Sequence, residues 1–163
     1  MNSGAKGAEE VAQQSCRTSI LAIVELAHTQ ILRLCDLLEE VADSLPYHVD
    51  RHKCLTIASE LEPLLRGIHR FEEEALLPAY GQVLEQQGRG AASVERLLAE
   101  HVEDESFAAE LTEALLVLGR TGAVENPEAL GFMLRGFFEA KRRHVAFERE
   151  HVLPEIVSPE TGS

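Results

Sequence analysis

Residues 69–78 read HRFEEEALLP, from His69 to Pro78. The run favours helix, yet it carries a histidine and three successive glutamates before Leu-Leu-Pro. Acidic helix faces are usually solvated. If this one is, the chain is an ordinary acidic helical protein. His69 and Glu73 are four residues apart, which sets both side chains on one helix face, one turn apart. If that face points inward, the neighbouring helices must pack around a polar layer.

The surrounding sequence supports helices on every side. Leu, Ala, Glu and Arg dominate, aromatic residues make up only 5% and there is no Trp. Punctuation falls at DSLPYH (Asp43–His48), QQGRGAAS (Gln86–Ser93) and GRTGAVENPE (Gly119–Glu128). Four segments remain, roughly 12–43, 50–86, 91–119 and 127–154. Ile20, Ile23, Val24, Ala27, Ile31, Leu34 and Leu38 give the first a helical stripe; Val94, Leu97, Leu98, His101, Leu111, Leu115 and Leu118 do so for the third. Leu130, Met133, Leu134, Phe137, Phe138 and Phe147 mark the fourth. Asn126-Pro127 predicts an N-cap with proline in the first turn, and Ser93 is the candidate cap of the third helix. Pro63 predicts an irregularity near Leu61. Gly67, Gly131 and Gly136 fall within helical segments, where they serve packing or leave room for a small ligand. Short loops between four long helices predict an all-α, antiparallel up-down-up-down four-helix bundle. Its expected span is residues 12–156, between a flexible end at 1–11 and a flexible tail at 157–163.

Composition excludes several classes of partner. A formal net charge of -13 argues against nucleic acid and anionic membrane surfaces. The first ten residues lack the apolar stretch of a signal peptide, and no run approaches membrane-spanning length. Cys16, Cys35 and Cys54 are too few and too widely spaced for a disulfide framework. A reducing, cytoplasmic setting is expected, with Cys35 and Cys54 as small core residues.

Seven histidines occur, and four of them (His28, His69, His101 and His144) fall one per helix. The i, i+4 step from His69 to Glu73 recurs from His101 to Glu105 and from His144 to Glu148. Depth along the bundle agrees. His28 lies about 19 residues before Tyr47 and His69 about 22 after it, equal to within a turn at about 1.5 Å per residue. Around Gly88 and Val124 the same reckoning brings Glu73 level with His101, and His101 and Glu105 level with His144 and Glu148. Four imidazoles and up to three carboxylates in one layer are too polar to bury without a partner. Two cations fit, because a bridging carboxylate offers one oxygen to each. Imidazole and carboxylate without thiolate suit iron, with manganese or zinc as substitutes. His48 and His52, a further i, i+4 pair near Asp50, are candidates for a surface metal such as zinc, and His151, one turn beyond Glu148, is a candidate supporting group or stand-in ligand. Most of the basic run Lys141, Arg142 and Arg143, just before His144, is expected to face outward, since a buried basic cluster is costly.

From about His28 to Pro154, these residues resemble the hemerythrin-like (HHE cation-binding) family. HRFEEEALLP is similar to its H-x-x-E-E-x-x-L-F-P signature, and HVAFEREHVLP is a second copy of the same idea. ELAHTQILRL resembles the family's first-helix histidine segment and LLAEHVEDE its third-helix segment. The resemblance implies a hemerythrin-like bundle holding two iron ions with an oxo or hydroxo bridge. It places His28 and His69 on one iron, His101 and His144 on the other, and Glu73 and Glu148 as bridging carboxylates. Glu72 would stand behind the ligands and Glu74 in solvent. Two positions depart from oxygen carriers of the family: Glu105 stands where they have a histidine, and Glu148 precedes Arg149, where they have the last bridging aspartate. Glu105 either binds metal or swings out and leaves an open position. An added anion beside the irons favours their oxidised state.

The functional expectation is therefore a di-iron protein that binds or reacts with a small oxidant (oxygen, hydrogen peroxide or nitric oxide) and needs an external reductant. A peroxide-decomposing (catalase-like) or oxygen-reducing activity is its enzymatic form. The alternatives are an iron- or oxygen-sensing module without turnover and an iron donor of the iron-sulfur repair type.

Overall fold

The structure is a computed structural model and describes residues 3–157. Met1, Asn2 and residues 158–163, nearly all of the expected tail, lie outside the described residues. Six α-helices follow one another: α1 (Ser3–Ser44), α2 (Arg51–Phe71), α3 (Leu77–Gln86), α4 (Ala92–Thr121), α5 (Pro127–Phe147) and α6 (Leu153–Val157). A five-residue π-helical turn, Glu72–Leu76, joins α2 to α3, and a second, Glu148–Val152, joins α5 to α6. The chain thus forms four rods in an antiparallel all-α bundle, and no strand occurs among the described residues. α1 packs chiefly on α5 and α2 on α4. α1 starts at Ser3, so residues 3–11 are helical, and residues 5–11 are exposed.

Side-chain chemistry sets the ends of these elements. The Asp50 carboxylate accepts from the Lys53 N–H, and the Asn126 side chain accepts from the Ala129 N–H with Pro127 in the first turn. Each cap satisfies a backbone donor that no helix carbonyl reaches. Ser93 is not a cap: α4 begins at Ala92, preceded by Ala91 with no side-chain bond. α4 stops at Gly122, whose φ of 69° is the left-handed conformation that glycine adopts without strain. α4 packs tightly on α2 at Gly119, where a Cβ would fall 2.6 Å from Leu55 Cγ and 3.1 Å from the Arg51 carbonyl oxygen. Gly67, Gly131 and Gly136 have no such crowding.

The irregularities sit elsewhere than Pro63. α2 runs straight through that exposed residue, and the Ser59 carbonyl that loses its donor lies on the solvent side. Pro78 and Pro154 act differently. Each would clash with the carbonyl four residues before it, Glu74 or Glu150. The helix widens there instead, with the Leu77 N–H donating to the Glu72 carbonyl and Leu153 to Glu148.

Two apolar clusters fill the interior. One joins Leu34, Leu38, Leu61, Leu65, Leu111 and Phe137, toward the α1–α2 and α4–α5 loops. The other joins Val24, Leu76, Tyr80, Leu97, Val152 and Ile156. Cys35 and Cys54 lie in the first as expected. Ile23 and Leu98, expected on the inward stripes, are substantially exposed. Between the two clusters, every rod turns polar at the same level.

Candidate metal centre

His28, His69, Glu72, His101, His144 and Glu148 are all buried and come from the four rods. Ligand atoms of Glu72, His101 and His144 lie within 4.8 Å of one another, as do those of His28, Glu72 and Glu148. Glu72 belongs to both groups. Glu148 Oε2 is 2.7 Å from His28 Nε2, and its Oε1 is 3.2 Å from His144 Nε2, so this carboxylate spans α1 and α5. The His69 and His101 rings stack at 3.9 Å between centroids.

The inward carboxylate on the second rod is Glu72, not Glu73. Leu61, Leu65, His69, Glu72 and Leu76 form one buried stripe, and Glu72 lies eleven residues from Leu61, three full turns. The i, i+4 spacing from His69 alone cannot see this, because positions three and four residues on straddle the same face. A better signal lies in the sequence. Residues 71–78 read FEEEALLP and residues 147–154 read FEREHVLP; aligned on their prolines, Glu72 matches Glu148.

Glu73 and Glu105 lie at the rim. Glu73 Oε1 is 2.9 Å from His101 Nδ1, and Glu105 Oε1 is 3.0 Å from His69 Nδ1. Glu100, which sequence reasoning missed, does the same for His144, with Oε2 3.1 Å from Nδ1. Three of the four histidines therefore carry a half-exposed carboxylate on one ring nitrogen and turn the other inward. The spacing gives no hint of Glu100, because it acts across the bundle from α4 to α5.

Three other expectations resolve outside the layer. Glu74 is exposed, as expected. His48 and His52 are exposed, join no three-ligand group among the described residues, and have Asp50 occupied as a helix cap. His151 is 59% exposed at its side chain, with its ring 5.0 Å from Phe147. Of the basic run, Arg143 is exposed and Arg142 half-buried, while Lys141 is buried against Asp104 at 2.6 Å.

Electrostatics in the layer are strained in a telling way. Burial, reinforced by the neighbouring His101, pushes His69 down to about pKa 3. Burial acts the same way on His144, but Glu148 and Glu72 outweigh it and raise its pKa. Burial would raise Glu148 and Glu72, and their histidine partners hold both below the usual carboxylate range. A protonated imidazole thus takes the place that a cation could take. His69 Nε2, His101 Nε2 and Glu72 Oε2 have no hydrogen-bond partner. His101 Nε2 and Glu72 Oε2 are only 2.8 Å apart, yet out of line for a hydrogen bond. Buried donor atoms this close with no hydrogen bond between them fit ligands of a shared cation.

The family described as "Hemerythrin HHE cation binding domain" matches residues 19–156. The chain belongs to the hemerythrin HHE family. Comparison with curated proteins and with solved structures gives no match. The hemerythrin match spans all four rods and every residue of the polar layer. No helix among the described residues is long and apolar enough to cross a membrane.

Proposed function

We propose that this hemerythrin-like protein holds two iron ions and binds or reacts with a small oxidant, and that redox turnover is favoured over reversible oxygen carriage. The carrying observation is the pair of overlapping histidine–carboxylate groups that share Glu72. His28, His69, Glu72, His101, His144 and Glu148 would hold the metals. Glu148, with one oxygen on His28 and the other on His144, and Glu72, which belongs to both groups, are the bridging candidates. When bound, an iron pair supplies two one-electron changes, matched to two-electron reduction of oxygen or peroxide. Manganese or zinc could bind the same donors, but the all-imidazole and carboxylate set suits iron.

The chain's own groups support the redox reading. Glu73, Glu100 and Glu105 accept from the outer ring nitrogens of His101, His144 and His69, which fixes each tautomer and makes the inner nitrogen more basic. Negative charge on these partners favours a more positive metal state. Glu105 would act on the metals through His69 and not as a ligand. A cleft of about 460 Å³ between α4 and α5 has His144 on its wall, together with Glu100, Asp104 and Arg143. Its polar lining suits peroxide better than an apolar gas.

The test is metal analysis of aerobically purified protein, with near-UV and visible spectra before and after dithionite, peroxide and nitric oxide. About two irons per chain and a charge-transfer band lost on reduction are expected. A preparation that never takes up a transition metal, or that holds only zinc and leaves peroxide untouched, refutes the proposal. Rapid oxygen release from peroxide selects turnover; a spectral change without turnover selects the sensing alternative.

A further inference from the structure

Lys141 is the one buried Lys or Arg among the described residues, and it sits where the functional reading puts two cations. It precedes His144 by three residues on α5, and Asp104 follows His101 by three on α4. Each is one helix turn from a histidine of the layer, on the same side of its helix. Lys141 Nζ donates to Asp104 Oδ2 at 2.6 Å, with the two side chains 4% and 14% exposed. Burying such a pair stabilises little against a well-packed apolar pair, because desolvation offsets most of the attraction. Apolar neighbours are plentiful here: Val145, Ala108 and Phe137 are all buried in the adjoining core. Packing alone therefore gives no reason for a lysine at this position. A charge that acts at a distance does.

We infer that Lys141 is a positioning residue of electrostatic kind: its buried ammonium raises the reduction potential of the metal pair, and Asp104 fixes where that charge sits. The inference rests on the di-iron reading and deepens it. The layer carries two buried carboxylates, Glu72 and Glu148, and three more at its rim, all of which favour the oxidised metals. Unopposed, they would leave the centre hard to re-reduce. A fixed positive charge one turn away opposes them in a medium that screens poorly. Asp104 lines the polar cleft, so it is solvated on one side while Lys141 is not.

The test is a redox titration of the iron-loaded protein, followed by its visible spectrum, in K141M, K141Q and K141R. K141M and K141Q remove the charge; K141Q keeps a donor for Asp104 and serves if K141M does not fold. Both should load as much iron as the parent. At the parent's midpoint their reduced-to-oxidised ratio should fall about tenfold, which is about 59 mV for a one-electron step. K141R keeps the charge and should stay near the parent. A merely structural lysine predicts lower melting temperature and iron content with the midpoint unmoved, and that result overturns the inference. If the parent shows a couple that all three variants share, the inference alone falls. If no form takes up a redox-active metal, the functional reading falls and takes the inference with it.

Discussion

At Glu72 and Glu73, adjacent and chemically identical residues have different surroundings. Glu72 is 2% exposed and sits in both candidate ligand groups, while Glu73 reaches only the outer nitrogen of His101. E72A should therefore abolish binding at both metal positions, measured as metal retained after gel filtration. E73A should keep both metals and weaken affinity by about 10- to 100-fold, measured by competition with a chelator. Equal losses in the two variants would contradict the assignment. Cysteine chemistry divides in the same way. Burial pushes the Cys35 thiol up to about 11 and also raises Cys54, while Cys16 is exposed. A thiol reagent at pH 8 should titrate one cysteine in the folded protein and all three in denaturant. The linkage follows: above about pH 9 the unfolded chain ionises its thiols before folded Cys35 does, so stability should fall as pH rises from about 9 to about 11. Thermal melts across that range check it.

The elements depend on a few backbone contacts. Gly119 lets α4 pass α2 with the Arg51 side chain donating to its carbonyl at 3.0 Å. An added methyl group meets Leu55 and backbone there, so G119A should cost about 1–3 kcal/mol in denaturant unfolding. G67A, where a Cβ meets open space, should be neutral or stabilise slightly. The π turns are the element-scale counterpart of the buried glutamates. Each opens on the carboxylate it presents and ends just before Leu-Pro, because the proline cannot donate to the carbonyl behind it. The prolines were visible in the sequence. Their consequence at the second rod escapes the i, i+4 rule, because the widened turn involves a run of residues and that rule tests only two.

At the scale of the molecule, the polar layer cuts the core into two apolar clusters. Without a cation, the layer leaves His28 Nδ1, His69 Nε2, His101 Nε2 and Glu72 Oε2 buried and unpaired, each at a cost of about 1–3 kcal/mol. Metal removal should therefore lower the melting temperature. Restoring metal at 100 times its dissociation constant should recover about 2.7 kcal/mol, as binding to the native state alone requires. Melting curves with and without chelator decide this; identical curves would mean that the layer is not held by a cation.

The sequence by itself determined the four rods, their order, their polar level and the five inward residues His28, His69, His101, His144 and Glu148. Those follow from period and spacing, which are properties of each helix alone. The alignment on Pro78 and Pro154 also carries Glu72, which spacing from His69 misses; only the tertiary structure decided that Glu100 and Glu105 serve histidines on other rods, and that Lys141 is buried with Asp104. Each of those depends on which helix lies opposite and how far it is turned, and that rotation is set by packing across the bundle, not by any one helix's own repeat.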